Sequence, residues 1–124
     1  MKMYQIIHAI PALGKLAEGD MRMTDAYRLQ KLLSSLQTEI DFFNGQKMKL
    51  ALKHGIENAD GSVEIPKENE AEAQSELDEL MAVEVKTEFD VIRIPINDNI
   101  ELSANDIGFL SPFVEFYSAE GGIF

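Results

Sequence analysis

The chain is 124 residues long, 45% hydrophobic and 27% charged, with no cysteine and a formal net charge of −11. Length and balance fit one domain with a modest core, and the missing cysteines exclude a disulfide framework and a thiolate metal site. Eight basic residues stand against five acidic over 1–56, two against twelve over 57–90 and one against five over 91–124. Such a field repels nucleic acid and anionic membrane, and no run of 18 apolar residues is present to span a bilayer.

The opening "MKMYQIIHAI" has an early Lys and a short apolar stretch, as a signal peptide would. The helical beat and Pro11 make a retained, folded segment the better reading. Ile7, Ile10, Leu13 and Leu16 fall three apart and Ile6 and Ala17 broaden the stripe, predicting a helix over 5–18 that either kinks at Pro11 or starts near Ala9. Gly19 is a natural left-handed stop. Thr24 reads as the N-cap of a second helix over 25–54, with Asp25 favoured in its first turn by the helix dipole. Leu29, Leu33, Leu36, Ile40, Phe43, Lys47 and Leu50 alternate steps of four and three, a seam interrupted only by Lys47. Gly45 is the weak point of that rod, because glycine costs about 1 kcal/mol against alanine inside a helix.

Asp60-Gly61 suits a tight turn, giving a hairpin over 56–65. A calcium loop is the alternative, but aligning Gly61 to its sixth position puts Ile56 and Lys67 at the first and twelfth ligand positions, where neither serves. Pro66 opens an acidic helix over 68–82 whose apolar face, Ala73, Leu77, Leu80 and Met81, is thin. Alternation of Val83, Val85, Thr87, Phe89 and Val91 with polar residues predicts a strand region over 83–96, ended by Pro95. In "LSANDIGFLSPFVEF" Ser103 and Asp106 form a capping box and Leu102 and Ile107 a hydrophobic staple, so a short helix over 104–110 follows. Phe109, Leu110, Phe113 and Phe116 then make an aromatic latch that closes the core, and 117–124 reads as a loose tail, with Ile123 and Phe124 able to pack on a neighbour. The expected class is α+β and helix-dominated: a long helix in an antiparallel helical hairpin, a small antiparallel β element and a short C-terminal helix.

The order of these parts resembles a family of small, uncharacterised proteins encoded by bacteriophages and prophages, mostly of Gram-positive hosts. Thr24, Ala26 and Tyr27 match the family's start of the long helix. Leu102, Ser103, Asp106, Ile107, Leu110, Pro112 and Phe113 match its C-terminal cap and Leu-x-Pro-Phe ending. The resemblance covers about residues 5–116, through capping and packing residues. It implies an accessory role in the phage cycle, with host cytoplasm or virion as the location and no established activity to carry over.

Signs of catalysis are weak. His8 and His54 have no ligand at metal-binding spacing, no serine sits in GxSxG, and "GKL" at 14–16 lacks the rest of a phosphate loop. The carboxylates of 68–79 read as a solvated helix face. The expectation is a non-enzyme without a cofactor, acting through protein contacts in structure or assembly, with neither nucleic acid nor membrane as partner. Its contact residues are the seam (Leu29, Leu33, Leu36, Ile40, Phe43 and Leu50) and the latch (Phe109, Leu110, Phe113 and Phe116). Whether the seam is covered within one chain or by a second copy is open. The alternative is an acidic DNA mimic that occupies a basic groove on a host protein.

Overall fold

The computed structural model describes residues 1–97 and 99–118. In chain order the elements are α1 (Met3–Glu18), α2 (Met23–His54), β1 (Ile56–Glu57), β2 (Val63–Glu64), α3 (Lys67–Met81), β3 (Ile92–Pro95), α4 (Ala104–Leu110) and β4 (Val114–Tyr117). The class is α+β with helices dominant, as expected. The length points to one domain; the contacts gather into two compact units, Met1–Tyr4 with Thr38–Lys86, and Gln5–Gln37 with the described residues from Thr87 onward.

α2 is a single helix of 32 residues, about 48 Å at 1.5 Å per residue, and it passes through Gly45 without a break. A Cβ added at Gly45 would meet nothing within 4 Å. Gly45→Ala is therefore expected to raise stability by about 1 kcal/mol, read as a higher urea midpoint at unchanged slope. The helix begins two residues before the expected start. The Arg22 carbonyl accepts the Ala26 N–H at 2.9 Å, so Thr24 lies inside the first turn and is not the N-cap. The reason is Asp25, only 1% exposed. Its carboxylate accepts from Arg22 Nε at 3.0 Å and lies 3.8 Å from Arg28 Nη1.

The first unit is built on the second half of α2. After Gly55 the chain makes the antiparallel pair β1–β2, with Ile56 opposite Glu64 and Glu57 opposite Val63. Gly61 takes φ +87° in the turn, and the Asp60 carboxylate accepts from the Ser62 amide at 3.0 Å and its hydroxyl at 2.7 Å. The tight-turn reading thus holds, and Asp60 is engaged in it. Pro66 then precedes α3, which returns along α2 and buries Ala73. His54, 7% exposed, is hydrogen-bonded through Nε2 to Glu76 at 2.9 Å, and Lys53 Nζ donates to the same carboxylate at 2.6 Å. Asn69 Nδ2 donates to the His54 carbonyl at 2.9 Å, capping one of the carbonyls that a helix end leaves open. Residues 82–86 close the unit on the amino-terminal segment: the Met3 amide donates to the Val83 carbonyl and the Val85 amide to the Met1 carbonyl, at 2.9 and 2.8 Å.

α1 runs through Pro11 from Met3 rather than starting near Ala9, and from Gln5 onward it belongs to the second unit. Its buried side is Met3, Ile6, Ala9, Ala12, Leu13 and Leu16, whereas Ile10 is 36% exposed. The expected stripe holds at Ile6, Leu13 and Leu16 and fails at Ile7 and Ile10, where the 3.6-residue turn carries the buried face to Ile6 and Ala9 instead. Gly19 is not left-handed; Gly61 alone among the described residues has positive φ. At Gly19 the need is for room, since a Cβ would fall 2.6 Å from Ile100 Cγ1.

Of the strand region expected over 83–96, Glu84 makes an isolated antiparallel bridge with Lys2, and Ile92–Pro95 forms a strand, with Ile92 and Ile94 inward and Val91 53% exposed. Its partner is β4, and the pairing is parallel, Ile92 opposite Val114 through Pro95 opposite Tyr117. A parallel pair needs a crossover, here residues 96–113 with α4. The tail reading therefore fails at Tyr117, which is a strand residue. Its hydroxyl accepts from Arg22 Nη2 at 3.0 Å and its ring lies 5.2 Å from the Arg93 guanidinium. Ile123 and Phe124 lie outside the described residues.

Candidate functional site

The crossover shapes a cleft of about 1270 Å³ in the second unit. Leu16 of α1, Ile94 of β3, Phe116 of β4, and Ile100, Leu102 and Ile107 around the start of α4 supply apolar walls. Val91, Ile96 and Ile107 also border it, and they remain 53%, 40% and 48% exposed. A local run of partly exposed aliphatic side chains around one concavity is the surface feature most often used for contact.

One end of the cleft is fixed by the predicted capping box. Ser103 Oγ accepts from the Asp106 amide at 3.1 Å, and the Asp106 carboxylate accepts from the Ser103 amide at 2.9 Å. Lys15 Nζ reaches the same carboxylate oxygen at 2.6 Å, tying α1 to α4. The Lys15 ammonium, and after it the Ser103 amide, hold the Asp106 carboxyl below its ordinary range. A lowered folded value means that the ionised group stabilises the fold above the ordinary carboxylate range, and that this contribution disappears as pH falls through it. Asp106→Asn is expected to flatten the acid side of the curve of urea midpoint against pH. Ser103→Ala should cost about 1 kcal/mol at neutral pH.

The expected contact residues are distributed between core and surface. In the second unit Leu29 and Leu36 are buried and Leu33 is half-buried; in the first, Phe43 is buried and Ile40 and Leu50 are half-buried. In the latch, Leu110 and Phe113 are fully buried, Phe116 lines the cleft, and Phe109 is 44% exposed with its ring centroid 5.7 Å from that of His8. The latch thus divides into core, wall and surface. Val91, Ile94, Ile96 and Ile100 were not anticipated as a surface. Their signal was the density of aliphatic residues on both sides of Pro95, which alternation alone assigned to a strand.

The first unit holds a second, smaller cleft of about 660 Å³ between α2 and α3, with Leu50, Ala51, Ile65 and Leu77 in its walls and Lys47 and Lys67 at its edge. Among the described residues no group of three or more His, Asp or Glu side chains could hold a metal ion, and no helix is long and apolar enough to cross a membrane. Comparison with protein families, curated proteins and solved structures finds no match to this chain.

Proposed function

We propose that the chain is a phage or prophage accessory protein that works without catalysis, by contacting another protein in a structural or assembly role. The observation that carries the contact is the cleft of the second unit, whose border keeps Val91, Ile96 and Ile107 partly exposed on a fold that buries most of its other aliphatic side chains there. A non-catalytic role is supported by how the buried polar groups are used. Asp25 anchors the start of α2 through one carboxylate oxygen, the other being buried without a hydrogen bond. His54 and Glu76 join the end of α2 to α3, and the Asp106 carboxylate completes the cap of α4. The phage context rests on the sequence resemblance over residues 5–116.

The test is recovery of the tagged chain from host cells after prophage induction, beside a Val91→Glu, Ile107→Glu double variant. A stoichiometric protein partner is expected with the parent chain and at least tenfold less with the variant. Equal recovery with both would overturn the reading. Mass spectrometry of purified virions separates a virion component from an assembly factor, and light scattering shows whether the partner is a second copy.

A DNA-mimic decoy is the second reading. On α3, Glu68, Glu72 and Glu79 are exposed and fall on one helical stripe, while Glu76 is engaged by Lys53 and His54. Phosphate-like binding is electrostatic and salt-sensitive. Capture of a basic host protein that is unchanged between low and high salt would remove this reading.

A further inference from the structure

The polar groups around the cleft limit what it can hold. Asn97 donates to the Asp20 carbonyl at 2.6 Å and accepts from the Asn99 amide at 2.9 Å. Ser103 is engaged in the capping box, and Ser111 Oγ donates to the Gly108 carbonyl at 2.9 Å. Lys15, the single cation on the border among the described residues, is paired with Asp106. Few directional groups are left to orient a sugar or nucleotide, whose many polar atoms would lose hydrogen bonds on entry.

The charge that remains is negative. Glu101 and Glu115 are exposed on the border. Glu101 has no ion-pair partner among the described residues, and Glu115 has only Arg93, 4.0 Å away. The stretches 5–37 and 87–124 together hold five basic and ten acidic residues, so an anionic ligand is opposed at short and long range. The volume of about 1270 Å³ exceeds the roughly 300–1,000 Å³ of sites for drug-sized molecules. Its walls come from α1, from the β3–β4 pair and from the start of α4, which suits several separate side chains better than one compact ligand.

We propose that this cleft receives an extended peptide segment of a partner protein, with aliphatic or aromatic side chains on the apolar walls and a Lys or Arg set against Glu101 and Glu115. The inference rests on the proposed contact function and names the chemistry of its partner.

The experiment uses the purified full chain to select from a random peptide display library. A synthetic peptide of the consensus is then titrated by fluorescence polarisation. The expected consensus combines apolar residues with at least one Lys or Arg. Ile107→Glu should weaken binding about thirtyfold, because it replaces an apolar contact by a charge that the bound segment would strip of water. Glu101→Gln and Glu115→Gln should each weaken it roughly two- to fivefold, with less effect at high salt. All three positions are exposed, and circular dichroism checks that the variants fold. A neutral or acidic consensus, failure to select any peptide, or affinity unchanged by Ile107→Glu overturns the proposal.

Two further results also overturn it by naming another occupant. One is a chain ending at Ser118 that binds the peptide more than tenfold tighter, which would make residues 119–124 the competitor. The other is a dimer that Ile107→Glu converts to monomer. Peptide selection needs no cellular partner, so its failure alongside successful recovery from cells counts against this inference alone, and the reverse pattern against the contact function alone.

Discussion

Phe113→Ala is expected to destabilise the second unit by about 3–5 kcal/mol, the usual cost of emptying a large, fully buried aromatic site. Phe113 is 0% exposed and its ring centroid lies 5.2 Å from that of Phe89. Its backbone joins the crossover to the sheet, since its amide donates to the Leu110 carbonyl at 2.8 Å and its carbonyl accepts from the Ile92 amide at 3.0 Å. Removing the ring leaves a cavity where α4 ends and β4 begins, so the loss should extend to the β3–β4 pairing. A domain of this size has about 5–15 kcal/mol of stability in total, which makes the cost a large share. The measurement is urea unfolding together with amide exchange at Ile92 and Ile96, whose N–H groups bond across to the Phe113 and Tyr117 carbonyls. Phe109→Ala is the control. That ring is 44% exposed, and its loss should cost about 1 kcal/mol or less. Equal costs at the two positions would show that burial does not separate them.

The contrast between those two phenylalanines shows what could be read from the chain. Helices leave a strong local trace, because each turn repeats the burial of the last. The limits of α3 and α4 therefore fall within a residue of expectation, and the Ser103–Asp106 box sits where spacing placed it. Strands depend on a partner that local sequence does not name. Residues 85–91 alternate well and form no ladder, since β4 pairs only with Ile92–Pro95. Phe113 and Phe116, read together as a latch, turned out to be a core residue and a wall of the cleft. The cleft itself was illegible for the same reason: it exists only because a parallel crossover brings α1, β3, β4 and α4 together.

Gly55→Ala is expected to destabilise the first unit by about 1–3 kcal/mol or more, and the reason is space rather than backbone angle. Gly55 links the end of α2 to β1, and its φ is not positive. A Cβ there would stand 2.5 Å from the Ala51 carbonyl oxygen and 3.0 Å from that of Glu64, with Val63 Cγ1 closer still. Two of these three obstacles are backbone atoms, which cannot rotate away, so the hairpin must lift from the helix end. The Glu76 bond to His54 and the Asn69 bond to the His54 carbonyl lie beside it and should weaken with it. Gly61 supplies the comparison. It is constrained by φ +87° with open space around it, so Asn, which tolerates left-handed backbone, should be better than Ala there. At Gly55 Asn should be no better than Ala, because either side chain brings the same Cβ. Urea midpoints of the four variants decide the matter, and a rescue by Asn at Gly55 would mean that conformation, not contact, selects glycine at that joint.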